Sequence, residues 1–346
     1  MAVRMVDLAR LHAPIRKEID RAIARVIDSS RFVLGAEVEA FEREIALFLR
    51  VSHAVGVSSG SDALFCALVA CGAKEAVVPA LSFIATAEAV VRAGAKLAFT
   101  DVDEHGIAKG GVARSAEGGM AQVTNVVVDL FGRRAPVTTN TIVDAAQSIG
   151  PGVLRNARAA AISFFPTKNL GALGDGGLVA TNDAALAEEA RALRAHGAKT
   201  KYVHERIGWN MRLDAIQAAV LRAKLPHLDR WNAARKRTAA RYREALAGLD
   251  MILPEDAPDH VWHQFVVHTA NRDALRAHLH AREIESEIYY PLALHLQPCF
   301  RELGHREGDF PRAEAFTKTA LALPIHPSLD DAEIDAVASA VRSFFG

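Results

Sequence analysis

Short apolar runs alternate with longer stretches of helical spacing over most of the chain. Residues 14–29 and 37–49 repeat apolar positions at helical intervals between acidic and basic faces, which predicts two amphipathic helices. Seven short apolar runs predict strands instead: 54–57, 76–78, 97–99, 125–128, 141–143, 160–164 and 177–180. This alternation predicts an α/β fold in which helices separate several of the strands.

The C-terminal part has a different pattern. Two long helices, a strand and a further helix are predicted there: 182–195, 212–248, 261–268 and 272–282. A chain of 346 residues exceeds what one small core requires. We therefore predict a large domain over 1–235, which includes an N-terminal helical arm, and a small α+β domain over 236–346. The glycine-rich stretch 106–119 predicts a loop or a mobile flap.

Charge and hydropathy narrow the class of protein. Basic and acidic residues number 41 each, so the formal net charge is +0, whereas a nucleic-acid-binding protein shows a basic excess. Six basic residues share one predicted helix, and we interpret them as a solvated face: Arg230, Arg235, Lys236, Arg237, Arg241 and Arg243. The most apolar stretch, 76–91, contains Pro79 and Glu88 and is too short to span a bilayer. We expect no nucleic-acid and no membrane partner.

Two features favour a cytoplasmic location. The N-terminus is charged and lacks the apolar core of a signal peptide. Cys66, Cys71 and Cys299 have no CxxC spacing and no histidines at metal-ligand spacing. We interpret them as reduced thiols in the core of a cytoplasmic protein and predict no metal site.

Lys168 lies between the predicted strand 160–164 and a loop with four glycines at 171–177. A lysine that forms a Schiff base needs a tight, partly desolvated pocket. Burial lowers the pKa of a lysine and frees its amine to attack a carbonyl near neutral pH. Taken alone, Lys168 would be interpreted as a solvated loop lysine, and only the residues upstream of it favour the Schiff base.

The predicted strand 141–143 leads to Asp144, and Gln147 follows three residues later. The carboxyl end of such a strand opens into the crevice where α/β sheets bind ligands. A carboxylate there keeps the ring nitrogen of pyridoxal phosphate (PLP) protonated, and an amide can donate to the phenolate oxygen of the ring. Asp144 is also compatible with an ordinary helix cap.

A Gly/Ser-rich turn over 58–62 joins the predicted strand 54–57 to a helical pattern that starts at Ala63. Backbone N–H groups at the start of a helix bind anions, and Ser61 and Ser163 can add hydroxyls. Such a turn is alone a weak signal, because it also serves as a plain N-cap. The combination of a phosphate cradle, an acidic residue and a lysine, in this order along the chain, favours a PLP site.

These motifs belong to a longer series of matching stretches: 31–42, 55–64, 82–89, 144–147, the Lys168 loop, 208–214 and 295–298. In them the chain resembles the PLP-dependent aminotransferases of fold type I, and among these the DegT/DnrJ/EryC1/StrS family of nucleotide-sugar aminotransferases. The resemblance implies a large domain with a mixed, mostly parallel sheet between helices, and a smaller C-terminal α+β domain.

The resemblance also implies roles for single residues. Lys168 matches the lysine that bonds to PLP and then moves protons, Asp144 the partner of the pyridine nitrogen, and Gln147 the amide near the phenolic oxygen. Phe83 matches a ring stacked on the cofactor, although a core aromatic is the ordinary alternative. The other implied contacts are with phosphate (Gly60, Ser61, Ser163 and, from the second subunit of a homodimer, Asn210) and with substrate (Arg212, Tyr290 and His295).

The chain departs from the family pattern in three places. Members commonly have His-Leu-Tyr-Gly where this chain has Asp129-Leu130-Phe131-Gly132, which puts hydrogen bonding to substrate over 129–134 in doubt. The stretches 103–122 and 150–160 are short against the family. The second normally carries a loop close to the cofactor, so we expect altered access to the site.

The implied activity is transfer of an amino group from an amino acid, glutamate by analogy, to a nucleotide-linked keto sugar. The resemblance of three segments, 261–265, 290–291 and 295–297, implies a dTDP-linked 3-keto-6-deoxyhexose. The alternative is amination at C4 of a UDP-, GDP- or dTDP-4-keto sugar. A sugar dehydratase or deoxygenase is disfavoured, because such relatives typically replace the lysine. A non-catalytic PLP-binding regulator would be expected to carry a DNA-binding module, for which the chain has no spare length.

Overall fold

The computed structural model describes residues 2–108, 123–138, 140–200 and 202–346, and a seven-stranded sheet forms its centre. The strands are β1 His53–Val57, β2 Glu75–Pro79, β3 Lys96–Thr100, β4 Thr124–Val128, β5 Thr141–Asp144, β6 Ala159–Ser163 and β7 Gly177–Thr181. They lie in the order β1-β7-β6-β5-β4-β2-β3. β7 is antiparallel to both neighbours, and the other adjacent pairs are parallel. The predicted strands and the mixed, mostly parallel sheet are confirmed.

Helices pack around this sheet: α1 Leu8–His12, α2 Arg16–Ser29, α3 Ala36–Leu49, α4 Gly60–Ala70, α5 Ala85–Arg92, α6 Ala184–Leu193, α7 Ala215–Lys224 and α8 Leu228–Ala245. In α4 six consecutive residues, 63–68, are buried, because the helix packs between β5, β6 and β7 on one side and α5 and α6 on the other. This burial fixes the N-terminus of α4 at the edge of the sheet. No helix in the described ranges is long and apolar enough to cross a membrane.

A second, smaller core lies in the C-terminal part. After the short pair β8 Ala198–Thr200 and β9 Val203–His204 come β10 Phe265–His268 and β11 Ala320–Leu323, which pair antiparallel, with α9 Arg272–His280, α10 Pro311–Thr319 and α11 Asp331–Phe345. This core includes Val3, Tyr242 and Val337. The predicted boundary between 235 and 236 falls inside α8, and the division into two domains stays a prediction.

The connection from β4 to β5 is short for a parallel pair. Residues 129–140 make it, and the described ones contain a single 3₁₀ turn, Leu130–Gly132, instead of a helix. Parallel strands usually need a crossover that contains a helix. The sequence analysis identified 129–132 as a departure from the family pattern. It did not predict that the described part of this connection would lack a crossover helix.

Two predicted elements are wrong in extent. The helix predicted over 212–248 is divided between α7 and α8 by a 3₁₀ turn, Leu225–His227, because Pro226 lacks the N–H that a continuous helix requires. The strand predicted over 261–268 begins only at Phe265, since Trp262 has a left-handed backbone with φ of 50°. Of the predicted loop over 106–119, residues 109–119 lie outside the described part.

Two burial predictions are also wrong. Arg235 does not belong to a solvated face, because it lies four residues from Trp231 and seven from Tyr242 on the buried side of α8. Cys299 is exposed rather than in the core, since it lies on a surface 3₁₀ segment, Pro298–Leu303. Cys66 is buried as predicted, and Cys71 is half-buried.

Candidate active site

Three strands that run in the same direction bring the predicted residues to one edge of the sheet. Asp144 ends β5, Ser163 ends β6, and Gly60 begins α4 shortly after β1. A cavity of about 480 Å³ lies at this edge. Eight residues named from the sequence line it: Gly60, Ser61, Phe83, Asp144, Gln147, Ser163, Lys168 and Tyr290. This convergence makes the cavity the candidate active site.

A larger cavity, of about 640 Å³, lies elsewhere in the molecule. Residues 103–105 and 249–252 border it, together with His268 and Arg312, and none of the residues predicted for the site lines it. Convergent titratable groups with shifted pKa values indicate a functional site better than size does. The smaller cavity is therefore the better candidate.

The loop that carries Lys168 is held in a tight turn. The amide of Lys168 donates to the carbonyl of Phe165 at 2.9 Å, and the amide of Ala172 donates to Phe164 at 2.8 Å. A Cβ on Gly171 would lie 2.1 Å from the carbonyl oxygen of Pro166, so glycine alone fits this approach. Lys168 lines the cavity, and burial lowers the pKa of its amine against the opposing effect of Asp144. A neutral amine is thereby favoured, as a nucleophile and proton carrier requires.

Asp144 is a buried carboxylate that receives two neutral donors. The hydroxyl of Thr86 donates to Oδ2 at 2.8 Å, and the amide of Ala146 donates to Oδ1 at 3.1 Å. Burial raises the pKa of Asp144, and these two hydrogen bonds act against the rise. Within the described residues, no lysine, arginine or histidine forms a salt bridge with it. A buried carboxylate of this kind fits a cationic ligand group, such as the protonated ring nitrogen of PLP.

The side-chain amide of Gln147 has a defined orientation. Its Oε1 accepts the backbone N–H of Phe131 at 2.5 Å, so the other end of the amide is the NH₂ group. One hydrogen of Nε2 reaches the hydroxyl of Tyr290 at 3.2 Å. The second hydrogen remains for a ligand in the cavity, which matches the predicted donor to the phenolic oxygen.

The start of α4 fits both interpretations of the sequence, a plain N-cap and an anion-binding cradle. Ser59 caps the helix, because its hydroxyl accepts the N–H of Asp62 at 3.1 Å. The helix begins at Gly60, three residues earlier than the pattern indicated, so Gly60 and Ser61 offer first-turn N–H groups to an anion. A Cβ on Gly60 would lie 2.6 Å from the Cβ of Ser163. Because glycine has no Cβ, Ser163 can lie directly against the cradle.

Phe83 is 56% exposed, unusually open for a large aromatic, and lines the cavity with its centroid 6.0 Å from that of Tyr290. An exposed ring in a cavity provides a stacking surface rather than core packing. The lining of the cavity therefore fits PLP. Phe83 fits the ring face, the Gly60–Ser61 cradle fits the phosphate, and Asp144 fits the pyridine nitrogen. Gln147 fits the phenolic oxygen, and Lys168 fits the aldehyde carbon.

Three predicted residues lie outside this cavity. Asn210 is exposed and forms an isolated β-bridge with Ala195, while Arg212 forms one with Val57. His295 has a side chain that is 0% exposed, with Nε2 3.1 Å from the carboxylate of Glu314. The structure does not bring His295 to the cavity, because its ring packs in the core.

The departure at 129–132 lies behind the cavity. Asp129 is fully buried, and four donors surround its carboxylate: Arg155 Nη1 and Nη2 at 3.1 and 2.8 Å, Ser148 Oγ at 2.5 Å and Ala135 N at 2.8 Å. Asp129 therefore has its partners within the protein and offers no hydrogen bond to a substrate. The segment instead supports the site from behind, because the N–H of Phe131 orients Gln147.

Sequence reasoning named the segments 82–89 and 261–265 but did not single out the residue that each contributes to the site. Thr86 lies beneath Asp144 and bonds to Ser82 at 2.7 Å, and the spacing of these hydroxyls just after β2 was the available signal. His263 lines the cavity, and its ring is bonded to Asn169, 94 residues away in sequence. A contact between such distant residues leaves no local pattern to find.

Fold and site together define a fold type I, PLP-dependent aminotransferase. The model of the DegT/DnrJ/EryC1/StrS aminotransferase family matches residues 13–342. A pleiotropic regulatory protein of Geobacillus stearothermophilus is 40% identical over 370 residues, which cover 100% of this chain and 99% of the relative. A dTDP-3-amino-3,4,6-trideoxy-α-D-glucose transaminase of Streptomyces venezuelae is 42% identical over 365 residues, which cover 99% and 96%.

The solved structure of S. venezuelae DesV in complex with a ketimine intermediate superimposes with a TM-score of 0.91 and 40% identity. The match covers 99% of this chain and 98% of DesV. The chain therefore belongs to the DegT/DnrJ/EryC1/StrS aminotransferase family and is a PLP-dependent sugar aminotransferase.

Proposed function

We propose that this chain transfers the amino group of glutamate to C3 of a dTDP-linked 3-keto-6-deoxyhexose. The observation that carries the transfer is the cavity in which Lys168, Asp144 and Gln147 converge with the α4 cradle. The name of the 42% identical relative, a dTDP-3-amino sugar transaminase, supports the nucleotide and the position on the sugar. The complete catalytic set favours an enzyme over a non-catalytic regulator.

Each residue has a distinct task in this proposal. PLP, when bound, supplies an electron sink for the carbon that gains or loses the amino group. The amine of Lys168 would move a proton between that carbon and the C4′ carbon of the cofactor, and burial, which lowers the pKa of the amine, favours this role. The carboxylate of Asp144 holds a proton on the ring nitrogen, and Gln147 donates to the phenolic oxygen. Phe83 covers one face of the ring and limits the access of water.

We also propose that the active site is completed by a second copy of the chain. Lys168 is the one lysine or arginine among the described residues that line the cavity, yet a cofactor phosphate, a sugar diphosphate and glutamate all bring negative charge. Asn210 and Arg212 lie outside the cavity of their own subunit, near the exposed apolar residues Ile207 and Trp209. In the dimer, Asn210 contacts the cofactor phosphate and Arg212 the substrate of the other subunit.

The reaction is tested with purified protein, PLP, glutamate and two keto sugars, dTDP-3-keto-6-deoxyglucose and dTDP-4-keto-6-deoxyglucose. Mass spectrometry of the products with ¹⁵N-glutamate reports transfer, and NMR reports the carbon that carries nitrogen. We expect labelled product from the 3-keto sugar, formed about 10²–10⁴-fold more slowly with Lys168→Ala. Label on C4, or no transfer from glutamate to either sugar, contradicts the proposal.

Mixed dimers test the shared site. Lys168→Ala and Arg212→Ala subunits are each expected to be inactive alone. After mixing and exchange, half of the dimers are hybrids with one intact site, so about a quarter of the wild-type sites return in a symmetric dimer. No recovery, despite subunit exchange shown by native mass spectrometry, places Arg212 in its own subunit's site or in neither.

A further inference from the structure

His263 is a second ring in the cavity wall that the proposed chemistry does not use. It precedes β10, is 8% exposed and lines the cavity together with Lys168. Its Nδ1 lies 2.8 Å from Oδ1 of Asn169, the residue that follows Lys168 in sequence. This contact joins the lysine loop to the wall that His263 forms.

The hydrogen bonds of Asn169 determine which nitrogen of His263 carries the proton. Nδ2 of Asn169 donates to the carbonyl of Val261 at 3.1 Å and to Oδ1 of Asn232 at 2.8 Å. A carbonyl can only accept, so the NH₂ group of Asn169 faces Val261 and its Oδ1 faces His263. Nδ1 of His263 is then the donor, which leaves Nε2 with a free lone pair.

The surroundings keep this ring neutral. Burial lowers the pKa of His263 well below its ordinary value, and the positive charges of Lys168 and Arg235 act in the same direction. Arg235 also fixes the backbone, since its Nη1 donates to the carbonyl of His263 at 3.2 Å and to that of Ile325 at 2.7 Å. Among the described residues, Nε2 has no hydrogen-bond partner, so it remains an acceptor for a ligand.

We propose that Nε2 of His263 accepts a hydrogen bond from a hydroxyl of the sugar and makes His263 a substrate-contacting residue for the sugar alone. This inference rests on the proposed function and deepens it. Sugar hydroxyls are donors, whereas the carboxylates of glutamate have only acceptor oxygens, which the lone pair of Nε2 repels. The amino group of glutamate is needed at the reacting carbon. The two substrates that use one cavity therefore differ in their need for His263.

The test compares two amino donors on one form of the enzyme. Glutamate and dTDP-3-amino-3,6-dideoxy-D-glucose each convert the PLP form to the aminated form, and each conversion removes the visible absorbance of the bound cofactor. In His263→Phe we expect kcat/KM for the amino sugar to fall about 10–100-fold, because a buried hydrogen bond to the ligand is lost. The value for glutamate is expected to fall much less, by no more than the lost contact with Asn169 disturbs the Lys168 loop, and the remaining glutamate reaction also shows that the variant is folded.

His260→Phe is the matched control. His260 is a buried histidine three residues away that stacks on Trp262 at 3.9 Å and does not line the active-site cavity. The His260→Phe variant is expected to lower kcat/KM for neither amino donor selectively. A binding readout accompanies the rates: the dissociation constant of the amino sugar for the aminated form, measured by calorimetry, rises by the same factor in His263→Phe.

The outcomes separate the two proposals. If wild-type protein reacts with glutamate but not with the amino sugar, the proposed function fails. If wild type reacts with both, the inference is overturned when His263→Phe affects both donors equally or neither, or when His260→Phe shows the same sugar-specific loss.

Discussion

Two buried aspartates end neighbouring parallel strands and differ in their partners. Asp129, just after β4, has Arg155, a serine and a backbone amide around its carboxylate. Asp144, the last residue of β5, has only the neutral donors Thr86 and Ala146. Breaking a buried ion pair is costly, and an unpaired buried charge is costly to keep. Asp129 thus has a charged partner within the fold, whereas for Asp144 we propose a cationic partner supplied by the cofactor.

Two lysines show the same contrast. Lys224 is buried in α7 and donates within the protein, to the carbonyl of Gly171 and to Nε2 of His12 at 2.9 Å. Lys168 lines the cavity, and no side-chain hydrogen bond from its amine is formed within the described part of the chain. We infer that, in each pair, the residue with internal partners supports the site and the residue that lines the cavity takes part in the chemistry proposed above.

The largest effect is expected where the two lysines are exchanged for apolar residues. Lys168→Ala should lower the rate of amino transfer from glutamate about 10²–10⁴-fold, because the proton carrier is lost, and should not lower thermal stability. Lys224→Met should leave the carbonyl of Gly171 unpaired and cost about 1–3 kcal/mol of unfolding free energy. Stopped-flow absorbance and denaturant unfolding measure the two quantities. A stability loss in Lys168→Ala as large as in Lys224→Met would break the comparison.

Asp129→Asn is expected to lower the free energy of unfolding by about 3 kcal/mol, since Arg155 loses a bidentate partner. The control is Asp331→Asn, which removes an exposed partner of Arg241 and should cost less than about 1 kcal/mol. Urea unfolding of the protein without cofactor checks both. Equal effects of the two substitutions contradict the role given to Asp129.

The pH dependence of stability sharpens the account of Lys224. Burial lowers its pKa to about 8, below the value of about 10.4 in an unfolded chain. The unfolded state therefore binds more protons between these values, and this lysine disfavours the folded state less as pH rises. The difference in unfolding free energy between wild type and Lys224→Met should shift in favour of wild type from about pH 8 to about pH 10. A constant difference over this range contradicts a buried, readily neutralised amine.

Much of the fold followed from local patterns, and eight of the eleven residues predicted for the site line one cavity. The seven strands of the sheet are apolar runs, and Lys168, Asp144 and the α4 cradle lie in segments whose neighbours in sequence are also their neighbours in space. The sequence patterns gave wrong or incomplete predictions where the position of a side chain depends on residues far away in the sequence. Arg235 is buried because carbonyls of the C-terminal part accept its hydrogen bonds. His263 depends on Asn169, and the place of His295 depends on Glu314.

The most direct test of the central claim is the shift in melting temperature that PLP causes in wild type, Asp144→Asn and Asp129→Asn. Ligand binding stabilises in proportion to the logarithm of its affinity. Without PLP, Asp144→Asn should melt no lower than wild type, because Asp144 has only neutral donors, while Asp129→Asn should melt clearly lower, because it breaks the ion pair with Arg155. With PLP, wild type and Asp129→Asn should show equal shifts and Asp144→Asn a much smaller one. A full shift in Asp144→Asn would contradict the assignment of Asp144 as the partner of the cofactor.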